Sequence, residues 1–197
     1  MAAYTERHHA FPSKYLPALQ QQIRSSRYFR ADNLNRDFVD TKGLSVVFHR
    51  TARARVLTEF PLFEPYLELA LREECNAFYL NPLQLERGSR VDPHIDRSLR
   101  TYCAQVDPPV VVSVLYIAVP PALQGGALVL QRGKRHVGRI TPVANLLVHF
   151  DGDLTHSIER LDCQGTRLSL VCEQYQLTAE ELAQVPEYAI ESRRQRY

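Results

Sequence analysis

A mainly β fold with flanking helices, its strands closed into a sandwich or barrel, is predicted for this chain by three observations. Between residues 77 and 175 the apolar residues fall in short runs, separated by glycine, proline and other turn residues at the spacing of successive strands. Before them lie two stretches whose apolar residues recur at helical spacing instead. With 197 residues, 45% hydrophobic and 23% charged, the chain has the composition of an ordinary globular protein and enough length for one domain with its own core.

Each element follows from local pattern. Residues 12–27 place Tyr15, Leu16, Leu19 and Ile23 on one helical face, and Pro17 is tolerated because it falls near the first turn. Residues 43–49, with Val46, Val47 and Phe48, form a short strand. Residues 62–74 carry Leu62, Tyr66, Leu69 and Ala70 on one face and are entered through Pro61 and Pro65, so they form a second helix. From residue 77 the period becomes that of strands. Residues 77–86 are extended, with Pro82 marking a bulge or an edge, because proline cannot donate to a ladder. The valine-rich run 110–119, bracketed by two proline pairs, is the clearest strand. Further strands are expected at 127–131, 136–140, 145–150, 155–161 and 167–175, the first of them after a Gly125-Gly126 turn. Thr178-Ala-Glu-Glu181 has the pattern of a capping box and opens a last short helix. The domain 1–197 thus divides into helical support (1–75), a β core (76–177) and a C-terminal helix and tail (178–197).

Charge and cysteine content narrow the function. A net charge of +2 and a pI near 8.4 are too mild to point to nucleic acid. The basic clusters Arg50, Arg53, Arg55 and Arg193, Arg194, Arg196 read as solvated faces and a tail. The four cysteines, Cys75, Cys103, Cys163 and Cys172, have no Cys-x-x-Cys spacing and read as reduced, mostly buried residues. The first residues lack the apolar run of a signal peptide, and no stretch reaches membrane-spanning length, so a cytoplasmic location is expected. His8 and His9 fall in an N-terminus expected to be mobile.

The chemistry centres on Val91-Asp-Pro-His94-Ile-Asp96-Arg. Side chains one residue apart on an extended backbone point to the same side, so His94 and Asp96 can share a metal ion. An imidazole and a carboxylate suit a first-row divalent metal. A further histidine would complete the 2-His-1-carboxylate arrangement that leaves coordination positions open on iron(II). Alone, a His-x-Asp is weak, and a hydrogen-bonded turn explains it equally well. After it come the valine-rich strand, Gly125-Gly126, more strands, Phe150 followed by His156, and Gly165-Thr-Arg167-Leu-Ser169.

This order resembles the C-terminal half of the 2-oxoglutarate- and iron(II)-dependent oxygenases, in particular the prolyl 4-hydroxylase-like branch, over about residues 77–175. The resemblance implies a double-stranded β-helix, a jelly-roll-like, cupin-type core with the metal in its open mouth. It implies His94, Asp96 and His156 as the catalytic metal ligands, and Arg167 as the holder of the far carboxylate of 2-oxoglutarate. Arg167 lies within an apolar strand, where an unpaired guanidinium is costly to bury. A surface edge is the plain explanation, a bidentate grip on a dicarboxylate the functional one. Ser169, two residues on, faces the same side and offers a second donor; Tyr116 offers a phenolic one, and Tyr79 is a weaker candidate. His149 rivals His156, but it lies on the wrong side of Phe150 for the resembled pattern. Where the resembled sequences often have Arg-Tyr-x-x-Gly, this chain has Gln84-Leu85-Glu86-Arg87-Gly88, which removes one expected tyrosine from the site.

The implied activity is a dioxygenase that hydroxylates an unactivated C–H bond while 2-oxoglutarate is decarboxylated to succinate and CO2. It would use Fe(II), 2-oxoglutarate and O2, with ascorbate as a reductant. The expected substrate is a protein or peptide residue, prolyl first, with segments 87–93 and 97–109 as loops folding over it. Arg87, Arg90, Arg97, Arg100 and Tyr102 would lie at the rim. Three alternatives stand: a cupin-like metal-binding or sensory protein without turnover, which has no need of Arg167; a hydroxylase of a free amino acid or other small molecule; and an oxidative demethylase of nucleic-acid bases. The last wants a basic groove and stacking aromatics, and this chain has no Trp.

Overall fold

In the computed structural model, which describes residues 2–32 and 37–192, the chain opens with a strand, β1 (Tyr4–Arg7), and a helix, α1 (Tyr15–Ser25). Three short strands follow, β2 (Arg30–Asp32), β3 (Phe38–Gly43) and β4 (Ser45–His49). Then come helices α2 (Arg53–Glu59) and α3 (Glu64–Ala70), each entered through a 3-10 turn. The core strands are β5 (Ala77–His94), β6 (Val111–Ala118), β7 (Leu128–Arg132), β8 (Arg135–Ile140), β9 (Leu147–Asp151), β10 (Thr155–Ile158) and β11 (Arg167–Tyr175). A short helix, α4 (Ala179–Leu182), carries the expected capping box on Thr178 and Glu181, and β12 (Tyr188–Glu191) ends the described chain.

All strand pairs are antiparallel, and the sheet runs β1-β9-β6-β11-β5-β10-β7-β8, with β3 and β4 laid along β5 and β12 along β4. β5 joins the two walls. Its first half pairs with β11, and its last residues pair with β10, so the sheet curls along this one strand. The period of two then sorts side chains inward or outward. From β11, Leu168, Leu170 and Cys172 face the helices, where they meet Leu19, Ile23, Val56 and Tyr66 in one buried cluster. Val112, Val114 and Tyr116 of β6 turn the other way, into a second cluster with Leu128, Val148 and Phe150. Burying each large apolar side chain contributes roughly 1.5–3 kcal/mol, so the helices act as the outer packing layer of the curled sheet.

Pro82 lies inside β5 rather than at an edge of the sheet, and the pairing explains how. Gly43 opposes Leu83 and Val46 opposes Leu80 in one continuous register, so the gap between β3 and β4 falls opposite Pro82. The missing donor coincides with a missing partner.

Several expectations need correction. The N-terminus is not mobile around Tyr4–Arg7, which pairs with β9 as a mostly exposed edge strand, and His8 lies within 3.8 Å of Glu6. Segment 87–93 is not a loop. It belongs to β5, which turns at Gly88 (φ +94°). In 97–109 a 3-10 turn at Ser98–Thr101 interrupts the expected loop. The tail after α4 contains β12, and the basic cluster Arg50, Arg53 and Arg55, exposed at Arg50 and Arg55 as expected of a solvated face, is carried by a 3-10 turn and α2. There Ala52 and Val56 are buried, Arg53 pairs with Glu68, Arg55 with Glu187, and Arg50 donates to the carbonyls of Cys75 and Arg72. The cluster Arg193, Arg194, Arg196 lies outside the described residues. All four cysteines are buried and unpaired, as expected.

Candidate metal centre

Two strands bring the two histidines together. In the β10–β5 pairing His156 stands directly opposite His94, and their rings lie 4.3 Å apart. Asp96, just past the end of β5, closes the group, with Oδ1 at 3.2 Å from His94 Nε2 and Oδ2 at 3.4 Å from His156 Nε2. One ligand atom from each of the three can be chosen so that all lie within 4.8 Å of one another.

The imidazoles are oriented from behind. His94 Nδ1 lies 2.8 Å from the Asp92 carbonyl and His156 Nδ1 lies 3.2 Å from the Leu154 carbonyl. A carbonyl only accepts, so each Nδ1 is the donor and each Nε2 is turned to the shared centre, where a bound metal would take the place of the proton that His94 Nε2 shares with Asp96; this is the outer hydrogen bonding that metal-ligating histidines use. Phe38 and Phe150 pack their rings at 5.6 and 5.0 Å from His94 and His156 respectively. Phe150, the residue that precedes the candidate ligand in the resembled pattern, is therefore in contact with His156.

Electrostatics give the same picture of a tight donor set. Burial pushes His94 down, but the hydrogen bond and charge of Asp96 outweigh it and hold the imidazole up at about 9. Burial pushes His156 down, and there it prevails. Asp96 sits below the usual carboxylate range in spite of its burial, held there by electrostatic attraction to His156 and by the hydrogen bond and charge of His94. His149 is not part of this group. Its Nε2 donates to the Ala70 carbonyl at 3.1 Å on the helix side of β9, and burial lowers its pKa.

The three side chains line a cavity of about 770 Å³ between the two walls of the sheet. Arg167 and Tyr116 line it as well. Arg167 is 1% exposed, and no carboxylate pairs with it among the described residues. Its Nη1 donates to the Gly126 carbonyl at 2.6 Å, and its guanidinium carbon lies 4.8 Å from the centre of the Tyr116 ring. The surface-edge explanation of Arg167 is thereby removed. Two polar atoms here are buried with no partner, Arg167 Nε and the Tyr116 hydroxyl. A buried guanidinium N–H and a buried phenol left unsatisfied are costly, and an anionic oxygen acceptor between them would satisfy both. Ser169 is fully buried beside them, with its hydroxyl turned to the Leu83 carbonyl at 3.5 Å, and it is not among the residues that line the cavity.

Tyr79, the weaker candidate, also lines the cavity, together with residues not anticipated from sequence. Tyr79 and Asn81 of β5 face inward and both engage Ser45, Tyr79 by its hydroxyl at 2.6 Å and Asn81 by its amide at 3.2 Å. Glu173 is 4% exposed and lies on the inward face of β11, six residues after Arg167. The parity of the strand was the available signal, since 167, 169, 171 and 173 share a face. Glu191 of β12 lines the cavity too, and accepts from the Tyr102 hydroxyl.

No protein-family model and no curated protein sequence matches the chain. Solved structures do match. A Pseudomonas putida prolyl-4-hydroxylase superposes with a TM-score of 0.60 at 16% identity, covering 90% of this chain and 95% of that one. A Trichoplax adhaerens prolyl hydroxylase, solved with a hypoxia inducible factor peptide fragment, gives 0.61 at 14% identity over 93% and 87%. The viral collagen prolyl hydroxylase of Paramecium Bursaria Chlorella virus-1, solved with 2-oxoglutarate, gives 0.54 at 11% identity over 86% and 94%. The fold is the double-stranded β-helix of the 2-oxoglutarate–iron(II) oxygenases. Prolyl hydroxylases are among the structures that share this fold, in keeping with the resemblance.

Proposed function

We propose that this protein is an iron(II)- and 2-oxoglutarate-dependent dioxygenase that hydroxylates an unactivated C–H bond of a protein or peptide residue. One observation carries the reading: a single cavity holds His94, Asp96 and His156 together with Arg167 and Tyr116, whose Nε and hydroxyl have no hydrogen-bond partner among the described residues. A metal-binding protein without turnover needs the first group but not the second.

The donor set fits the metal and the cosubstrate. Two neutral imidazole nitrogens and a carboxylate suit iron(II) and leave coordination positions open. Arg167 and Tyr116 fit a carboxylate, which the guanidinium fork can grip in a way that an ammonium cannot. Bound iron, 2-oxoglutarate and dioxygen supply the oxidising power, decarboxylation to succinate and CO2 being coupled to hydroxylation of the substrate. The chain's own residues bind and orient: the Asp92 and Leu154 carbonyls fix the imidazole tautomers, and Gly126 fixes the guanidinium. Val112, Val114 and Leu128 make that part of the cavity wall apolar, which excludes water.

A peptide substrate, with prolyl the first residue to test, is supported by the kind of ligand held in the Trichoplax neighbour. The basic residues Arg50, Arg53 and Arg55 are engaged within the fold and form no free phosphate track, which argues against nucleic acid.

Anaerobic titration with iron(II) and then 2-oxoglutarate, followed by the charge-transfer absorbance, tests the reading. The expected result is that His156→Ala abolishes iron binding and His149→Ala leaves it intact. Arg167→Lys should keep iron but weaken 2-oxoglutarate by on the order of 1–3 kcal/mol, roughly five- to 150-fold. Unchanged 2-oxoglutarate affinity in Arg167→Lys would return the chain to the cupin-like reading. Peptide, free amino-acid and oligonucleotide pools, scored for succinate and for a gain of one oxygen with ascorbate present, then separate the substrate classes.

A further inference from the structure

The wall of the cavity beyond His94, Asp96 and His156 carries a buried carboxyl group that the proposed chemistry does not use. Glu173 is buried on the inward face of β11, and its carboxylate is met only by neutral donors. Ser98 Oγ donates to Oε1 at 2.5 Å, the Ser98 backbone N–H to Oε2 at 3.2 Å, and the Tyr175 hydroxyl to Oε2. No cation pairs with it among the described residues. A carboxylate accepts about four hydrogen bonds, so with three donors Glu173, which lines the cavity, keeps acceptor capacity. Burial and the nearby Asp96 charge disfavour its anionic form, a cost that a bound cation would offset. A second carboxylate, Glu191, stands at the same cavity and is met by the Tyr102 hydroxyl. The cations that share the lining are Arg167, which is turned to Gly126 and Tyr116, and Arg97, which is exposed and not paired with Glu173. The half of the cavity away from Arg167 is thus acidic within.

Resting on the oxygenase reading, we infer that Glu173 is a substrate-binding residue that holds a positively charged nitrogen, so the substrate carries an ammonium or guanidinium group at or next to the residue that is oxidised. The shared chemistry is a basic side chain, whether in a peptide or in a free amino acid. A peptidyl proline has an amide nitrogen and cannot supply this charge, so in a prolyl substrate it would come from a flanking lysine or arginine. The competing role for Glu173 is purely structural, a staple that holds the turn at Ser98. That role predicts no preference for charge in the ligand, which separates the two.

The test is calorimetric binding to the full chain loaded anaerobically with iron(II) and 2-oxoglutarate, in which no turnover occurs. The probes are Nα-acetyl-lysine and Nα-acetyl-arginine N-methylamides, their neutral counterparts from norleucine and citrulline, and free lysine and arginine. The expected result is tighter binding of the cationic probes by roughly ten-fold or more, as for a charge-assisted hydrogen bond, with the preference lost in Glu173→Gln. Amides binding better than free amino acids would assign a peptide source, and the reverse a free amino acid. Equal binding of cationic and neutral probes by the wild-type protein would overturn the inference, whether or not Glu173→Gln folds. A preference that survives in folded Glu173→Gln would overturn it as well. The 2-oxoglutarate absorbance of the same samples keeps the two readings apart. If 2-oxoglutarate binds and the preference is absent, only this inference fails; if 2-oxoglutarate does not bind, the oxygenase reading falls and takes this one with it.

Discussion

At the scale of single residues, the chain distinguishes two histidines that stand seven positions apart on successive strands. His156 faces the cavity and presents Nε2 to Asp96, whereas His149 faces α3 and spends its Nε2 proton on the Ala70 carbonyl. Burial lowers the His149 pKa below its value in an unfolded chain. Near pH 6.5 and below, the unfolded chain therefore binds more protons at this position than the folded one, and His149 makes stability fall as the pH drops through 6.5. Glutamine can donate to the same carbonyl but does not titrate. We expect His149→Gln to lose less stability than the wild type between pH 7 and pH 5, measured as the shift of the urea midpoint. Parallel pH profiles would show that His149 is not held neutral by its surroundings. Arg167 shows the same kind of specificity. In a strand otherwise packed against apolar neighbours it is the one long cation, and the Gly126 carbonyl and the Tyr116 face hold it without a counter-ion.

At the scale of elements, the site depends on where strands meet and where they turn. Opposed positions on β5 and β10 create the histidine pair, and a register shift between Leu168 and Ser169 sets how β11 lies against Tyr116 of β6. The turn before β7 is equally constrained. Gly125 and Gly126 have φ of +72° and +69°, and a Cβ on Gly125 would lie 1.9 Å from the Arg160 carbonyl oxygen. An alanine there meets both a disfavoured backbone conformation and a backbone atom that cannot move away cheaply. Gly125→Ala is expected to destabilise the fold by about 1–3 kcal/mol. It should also weaken 2-oxoglutarate binding, because the adjacent Gly126 carbonyl seats Arg167. Urea denaturation and the anaerobic titration measure the two effects. A variant with wild-type values in both would mean that the turn is free to rearrange.

At the scale of the whole molecule, the fold concentrates unsatisfied polarity in its centre. Three candidate ligands that crowd one another, an arginine with no acid partner among the described residues and a buried glutamate with no basic partner among them all line one cavity. The helices, by contrast, give the outer face of the sheet a conventional apolar layer. Ligands that bind only the folded state should therefore stabilise it. At a concentration a hundred times Kd, metal or 2-oxoglutarate adds about 2.7 kcal/mol each. Thermal unfolding is expected to rise in steps on adding iron(II) and then 2-oxoglutarate, to fall on chelation, and to show no second step in Arg167→Lys at low 2-oxoglutarate. No described helix is long and apolar enough to cross a membrane.

The central strands and the order of the site residues were legible in the sequence because their signals are local. The valine-rich β6, the whole of β11 and the capping box of α4 follow from period and cap chemistry within a few residues. His94 and Asp96 share a side because of the parity of an extended backbone. The sequence could not show the elements whose stability comes from partners. β1, β3 and β12 are polar or half-exposed and exist because β9, β5 and β4 offer them a ladder. α2 hides a buried stripe of Ala52 and Val56 among arginines. His156 was favoured over His149 by the resembled pattern around Phe150, but the pairing of His156 with His94, the burial of Arg167 and the place of Glu173 appear only in the tertiary structure. Alternation along a strand says which residues share a face, but only the curl of the sheet determines which face encloses the cavity and which meets the helices.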